Sequence, residues 1–284
     1  MSDVLGSEAA ALSEPATTTT APVRRRPPPR PVEVVAVTRL TPRLVSLHVG
    51  GPALQGFAVE APTAHIKVFL PQPGADLVLP TVGPNGPVLP EGAPPPIVRT
   101  YTPRHYDAAS NTLEIQFVLH GEGAASRWAA GAKPGDQLAV AGPGGRFRLD
   151  PTATEWWIAG DESAIPAAAT LLEALPATAR AEVHFEVDGG EDELPLTSSA
   201  RVSVHWHRRR PMARQKTWGT ELRDAATNAR LSEGTYVWVG CEASTMRAIR
   251  MQMLERGVAR DALTTRGYWR VGEVNHPDHD YGDD

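Results

Sequence analysis

The sequence predicts a β plus α/β fold: an antiparallel β-barrel followed by a doubly wound parallel sheet. Two observations carry this. In 113-LEIQFVLH-120, Leu113, Ile115, Phe117 and Leu119 share one face, the period of a half-buried strand. From about Pro151 that rhythm gives way to strand, helix, strand, which implies a parallel sheet covered by helices. The 284 residues suit two ordinary domains. The expected divisions are a disordered Ala/Thr/Pro-rich tail over 1–30, the barrel over 31–150, the α/β domain over 151–273 and an acidic, solvated tail over 274–284.

In the first part, strands are expected at 33–39, 44–49, 65–70, 97–102, 113–120 and 137–142, with Pro and Gly punctuating the gaps. A short helical stretch runs from Ala124 to Ala130. In the second part, strands at 155–160, 181–187, 202–207 and 235–240 alternate with helices at 163–175, 219–226 and 242–257. The last helix carries an apolar stripe of Met246, Ile249, Met253 and Leu254, and Gly257 is its natural stop. Ligands of such sheets sit beyond the carboxyl ends of the strands. Two strand ends there carry suggestive loops, 159-AGDESAIP-166 and 239-VGCEAS-244.

Composition narrows the function. A formal net charge of −5 argues against a nucleic-acid-coating surface. No apolar run approaches the roughly 18 residues of a membrane span. The single cysteine, Cys241, excludes an internal disulfide and any multi-cysteine zinc or iron–sulfur site. The N-terminus has early acids and prolines after Arg24–Arg26, so it does not read as a signal peptide, and a cytoplasmic monomer is expected. Only three lysines accompany 25 arginines, which makes Lys67 stand out.

The chemistry concentrates at 99-RTYT-102. Arg99 offers a planar, permanent charge for a pyrophosphate. Tyr101, on the same strand face, offers a ring to stack on a flavin. The Thr102 hydroxyl both donates and accepts, which suits a flavin nitrogen in either redox state. Downstream, Gly121 and Gly123 precede the 124–130 helix, whose first N–H groups with Ser126 make an anion site. A second glycine-rich turn, 141-AGPGGRF-147, lets backbone approach a bulky ligand.

These stretches, with 65-HIKVFLP-71, 117-FVLHGEGAASRWA-129, 159-AGDESAIPA-167, 204-VHW-206, 237-VWVGCEAS-244 and 266-RGYWR-270, resemble the siderophore-interacting proteins. That family comprises flavin-dependent ferric-siderophore reductases of the ferredoxin-reductase superfold, and the resemblance runs from about Pro31 to Gly272. It implies FAD, NADH or NADPH as donor, and an anionic ferric siderophore as substrate. It implies that Arg99, Thr100, Tyr101 and Thr102 hold the flavin, with His120, Gly121, Ala125, Ser126 and Trp128 around its phosphates and adenosine. Asp161, Glu162, Ser163 and Glu242 fall at the mouth of the second domain, near flavin and nicotinamide. Lys67, Arg146, Arg266 and Arg270 fall on the substrate side. Relatives often carry an arginine where Gly144 stands here, and Arg146 is the candidate replacement. Cys241 stands at a position near the nicotinamide in related reductases; a small buried hydrophobe is the competing reading.

The remaining features get plainer readings. Arg208–Arg210 suit either an NADPH 2′-phosphate or a solvated loop. His184, His205 and His207 are assigned to no metal, and none is expected elsewhere. Trp156 and Trp157 are expected to pack the domain junction. The resulting expectation is an NAD(P)H-dependent ferric-siderophore reductase that releases Fe(II), with no catalytic protein acid or base because the flavin does the chemistry. The alternatives are a general NAD(P)H:flavin or ferredoxin-type oxidoreductase, with ferredoxin as partner, or a non-enzymatic ferric-siderophore-binding module.

Overall fold

The computed structural model describes residues 28–83, 86–121, 123–145, 147–209, 218–276 and 280–281. The N-terminal tail through residue 27, Arg146, Arg210, Asp278 and His279 lie outside them. The first part contains β1 (Arg30–Thr41), β2 (Leu44–Gly50), β3 (His65–Leu70), a small hairpin of β4 (Thr81–Gly83) and β5 (Gly86–Val88), β6 (Ile97–Tyr101), β7 (Pro103–Asp107), β8 (Thr112–Val118), α1 (Ala124–Ala130) and β9 (Gln137–Gly144). Seven strands form one antiparallel sheet in the order β6-β3-β9-β1-β2-β8-β7. Its two outer strands, β6 and β7, are consecutive in the chain with only Thr102 between them. The covalent chain therefore joins the two edges and closes the sheet into a barrel.

Alternation fills the barrel. Ile66, Val68 and Leu70 of β3 and Leu113, Ile115 and Phe117 of β8 are fully buried, while the residues between them are not. α1 lays Ala125 and Ala129 onto the same core. The strand expected over 97–102 is broken at Thr102, and β7 was not foreseen. Its first residue is Pro103, which can open a strand because it need not donate to the ladder.

The second part runs β10 (Glu155–Asp161), α2 (Ile165–Ala174), β11 (Arg180–Val187), β12 (Arg201–Arg208), α3 (Thr220–Asn228), β13 (Tyr236–Glu242), α4 (Ala243–Glu255) and β14 (Leu263–Trp269). The five strands are parallel in the order β12-β11-β10-β13-β14. The chain builds outward from β10 to β12, then crosses back to β13 on the other side. The direction of winding thus switches between β10 and β13, where such sheets open a crevice. Successive residues of β10 serve two cores: Trp156 and Ile158 face α2, whereas Trp157 and Ala159 face α3 and α4. The two tryptophans therefore sit inside the α/β domain on opposite faces of β10, not at the domain junction.

β14 was read only as a motif. Its buried residues are Leu263, Thr265 and Gly267, so its inner face lacks the apolar run that marks a strand. The expected solvated tail also differs. Gly267 N–H donates to the Asp280 carbonyl at 2.8 Å, Thr265 Oγ1 donates to the Tyr281 carbonyl at 2.7 Å, and Arg247 pairs with the Asp280 carboxylate at 2.9 Å. Asp280 and Tyr281 thus bond to the open edge of β14, a common way of protecting an edge strand.

One sheet face is unusual. Parallel sheets are normally apolar on both sides. On β11 and β12, the face that bears Glu182, His184, Ser203, His205 and His207 is polar, and α3 presents Glu221 toward it. Burial holds His184 and His207 below the ordinary histidine value of 6.5; Glu182 opposes this at His184, and neighbouring imidazoles reinforce it. Below that value the unfolded chain takes up protons that the native protein resists, so stability falls as pH drops below 6.5. In metal-free buffer, His184→Asn should therefore show a smaller loss of melting temperature than wild type between pH 7.5 and 5.5. Equal slopes by thermal circular dichroism would refute this.

Candidate functional site

The crevice at the switch point is built around Asp161, the last residue of β10 and almost wholly buried. Its Oδ1 accepts from Ser163 N–H at 2.9 Å and from Ser163 Oγ at 2.5 Å. Its Oδ2 accepts from Glu242 N–H at 3.0 Å and Trp269 Nε1–H at 2.7 Å. One carboxylate thus brackets the carboxyl ends of β10, β13 and β14. Burial raises its pKa, and the bonds from Ser163 and Trp269 pull it back. Glu242 is spent on the helix that follows: its Oε2 caps Thr245 N–H at 2.9 Å and Oε1 accepts from Ser244 at 3.1 Å. Cys241 is buried in the core with Val239 and Met246, and burial pushes its thiol pKa well up. It is a small core residue, the plainer of the two readings.

Glu162 does not face solvent either. Its Oε2 pairs with Arg209, which also donates through Nε to Glu186 at 3.0 Å. The Arg209 guanidinium lies 4.3 Å over the Trp218 ring, and Trp218 meets Trp269 edge-on at 5.0 Å. A continuous wall of Arg209, Trp218, Trp269 and Asp161 therefore lines this mouth. Burial raises the pKa of both glutamates, with Arg209 opposing. Arg209 was expected in a solvated loop or on a nucleotide phosphate; it is buried and committed to carboxylates. Arg208 is exposed and pairs with Glu193 at 2.6 Å. Nothing in a run of three arginines distinguishes the middle one, so Arg209 was invisible in sequence.

On the barrel side, Arg99 and Tyr101 share one face of β6, opposite Val68 and Ile66 of β3. Arg99 is half-buried and donates to the neighbouring Val98 carbonyl at 2.8 Å. Tyr101 leans on Phe117, with centroids 4.2 Å apart, and stays partly exposed; Phe117 in turn meets Trp128 at 6.2 Å. Burial pushes the Tyr101 phenol up, so it stays neutral, with Arg99 pulling the other way. Thr102 is buried at the barrel corner. In the following turn Ser126 Oγ accepts from His120 N–H at 3.0 Å, which holds the loop closed. The His120 ring lies over Gly123, where an added Cβ would come within 2.4 Å of it. Gly121 has φ +89°, with nothing near its missing side chain. A permanent cation, a part-exposed ring and the open space beside the Gly121 backbone fit a flavin dinucleotide.

The opposite face of β3 and β6 carries the cations. Lys67 Nζ donates to Thr100 Oγ1, its cross-strand neighbour, at 2.7 Å. His65 lies two positions away on the same face, and its Nδ1 meets Arg266 Nη1 of β14 at 3.2 Å. The tertiary fold thus brings Lys67 and Arg266 to one rim, 199 positions apart in sequence. An added Cβ on Gly144 would lie 3.2 Å from His65 Nε2, so the imidazole occupies the space an arginine side chain would enter. Arg270, just after β14, pairs with Glu273 at 3.2 Å. His65 was quoted only as part of a motif; its role needs the partner from the second domain. Arg43 with Asp188 at 2.6 Å, Arg104 with Glu173 at 2.8 Å and Thr63 with Thr170 at 2.9 Å complete the junction.

Residues 33–147 match the family model described as siderophore-interacting FAD-binding domain, and 153–272 match that of siderophore-interacting protein. Among curated relatives, ferric vibriobactin reductase ViuB of Vibrio cholerae is 32% identical over 254 residues, 89% of this chain and 93% of the relative. The NADPH-dependent ferric-chelate reductase of Escherichia coli K12 is 42% identical over 146 residues, 51% of this chain and 57% of the relative. A crystal structure of a siderophore utilization protein from T. fusca superposes with a TM-score of 0.79 at 35% identity, covering 90% of this chain and 98% of that one. No helix among the described residues is long and apolar enough to cross a membrane.

Proposed function

The chain belongs to the siderophore-interacting protein family, and from that premise we propose that it is an FAD-dependent reductase of ferric siderophores. In this reading NADPH or NADH gives up a hydride, two ferric chelates each take one electron, and Fe(II) leaves the siderophore in the cytoplasm. Bound FAD supplies the conversion of one two-electron donation into two single-electron ones. The protein's residues do the rest. Arg99 neutralises the diphosphate, Tyr101 offers a ring that Phe117 braces, and Thr102 presents a hydroxyl at the corner between β6 and β7. Asp161 keeps three strand ends together so that the mouth holds its shape. Ferrous ion binds hard oxygen donors more weakly than ferric ion, so reduction loosens the chelate.

The observation that carries this reading is the rim of Lys67, His65 and Arg266 on the strand next to the proposed flavin strand. Positive charge there attracts an anionic chelate and leaves a salt-dependent signature. The names of the ViuB and E. coli relatives support the substrate class and, for the latter, the donor. The direct test is a visible spectrum under argon. NADPH or NADH should bleach the flavin bands, and a ferric catecholate should restore them while Fe(II) appears in a ferrous-specific chelator. Bleaching without recovery would sink the reading.

Lys67→Ala should keep its flavin and its rate with nicotinamide but raise KM for ferric catecholates about tenfold at low salt, the loss of one charge-assisted contact. The gap should close as salt screens the rim. Equal KM values at low ionic strength would remove Lys67 from the substrate site.

A further inference from the structure

The polar face of β11 and β12 groups residues that the reductase reading does not use. Glu182 and His184 lie two apart on β11, and His205 is the register partner of His184 on β12. One ligand atom from each of the three lies within 4.8 Å of the others. His184 Nε2 is already 3.0 Å from Glu182 Oε1, and its ring stacks on His205 with centroids 4.7 Å apart. We propose that Glu182, His184 and His205 form a binding site for a borderline divalent transition-metal ion such as zinc, with His207 as the positioning residue.

The donor set supports that class. Two imidazoles and one carboxylate suit zinc and its first-row neighbours, and leave a position open. The carboxylate offsets one of the ion's two charges. The hydrogen bonding also agrees. A ligating histidine normally donates its other ring N–H to a second group that fixes the tautomer. Here His184 Nδ1 lies 3.0 Å from His207 Nε2. With Nδ1–H donated to His207, Nε2 is left as a lone pair on the Glu182 side, while His205 stacks on the ring face and has to turn its imidazole to reach the same ion.

The geometry needs only a small closure. Zinc–nitrogen bonds of about 2.0–2.1 Å set ligand atoms roughly 3.3 Å apart in a tetrahedral site. His184 is buried and fixed, whereas Glu182 is half-exposed and His205 exposed, so both can rotate inward. The open side is a groove of about 410 Å³ whose lining includes Glu182, Ser203 and His205 and also Arg180, Arg201 and Arg230. An ion entering from solvent would meet His205 and Glu182 first. This site stands apart from the cation rim, and its proposal is independent of the reductase reading.

The test uses the untagged full chain, stripped with EDTA, exchanged into chelator-free buffer and titrated with Zn2+ by calorimetry. One ion per chain is expected, and Co2+ should give the visible d–d absorption of a low-coordinate nitrogen–oxygen site. His205→Ala should weaken Zn2+ at least about 100-fold, and His207→Ala about tenfold, the range for loss of an orienting partner. Both variants should keep wild-type flavin content, which separates this site from the cofactor domain. His276→Ala, which removes the histidine that bridges Glu273 and Asp280, should bind Zn2+ as wild type does. The proposal is overturned if no stoichiometric ion binds, if His205→Ala binds as tightly as wild type, or if binding is lost instead in His276→Ala. His205 is exposed, so its truncation is not expected to unfold the chain, and an unchanged circular dichroism spectrum checks this.

Discussion

Arg209→Met is expected to lower the melting temperature by about 10 °C, the largest effect of any single substitution considered. Arg209 is the cation in a buried group that also holds Glu162 and Glu186. Glu162 Oε1 and Glu186 Oε2 have no hydrogen-bond partner among the described residues, and Glu186 Oε1 has, besides Arg209, only the Gly219 N–H at 3.0 Å there, so Arg209 supplies the positive charge these acids pair with. Removing it leaves two carboxylates buried side by side. Breaking a buried ion pair in this way costs about 3–5 kcal/mol. For a chain of this size each kcal/mol moves the midpoint by about 2–4 °C. Burial already raises the pKa of both glutamates, so the variant should relieve itself by taking up a proton. Its deficit should therefore shrink as pH falls toward 5, because the native state then binds more protons than the unfolded one. The triple variant Arg209→Met, Glu162→Gln, Glu186→Gln should recover most of the loss. Thermal circular dichroism at two pH values decides the matter. A midpoint within 2 °C of wild type, roughly 1 kcal/mol, would show that the group contributes little.

Arg99→Ala is expected to purify nearly colourless, with FAD affinity down about 100-fold. In the structure the guanidinium donates to the adjacent Val98 carbonyl, an exchangeable bond, and among the described residues no tertiary hydrogen bond rests on it. Its removal should leave the fold and the melting temperature of the apoprotein nearly unchanged. Two charge-assisted bonds to a diphosphate, each worth about 1.5 kcal/mol, account for the expected loss. Arg99→Lys should recover only part of it, because an ammonium cannot match the planar fork. The ratio of flavin to protein absorbance after purification, and an FAD titration of the apoprotein, measure both effects. Stoichiometric flavin in Arg99→Ala would remove the 99–102 segment from the cofactor site.

Much of this molecule is legible along the chain, and particular residues show why. β8 announces itself because Leu113, Ile115 and Phe117 must all reach one core. The change of rhythm near Pro151 marks the start of the parallel sheet for the same reason. The 99–102 segment is readable because a cation, a ring and a hydroxyl at strand spacing have little structural purpose of their own. β14 escaped because an edge strand needs no apolar run, and its inner face is Leu263, Thr265 and Gly267. The docked tail escaped because what holds it is backbone and one carboxylate, not hydrophobicity.

Local periodicity and local chemistry by themselves determined the barrel, the α/β half and the family to which the chain belongs. Each is a property of neighbours within one or two turns or strands, so it is written where it acts. Only the tertiary structure decided that Arg209 is a buried counterion, that His65 meets Arg266, and that three histidines share one sheet face. Those pairings depend on which strand ends the switch between β10 and β13 brings together, and on how the barrel seats against them. Contacts between residues far apart in sequence leave no period for a linear reading to find.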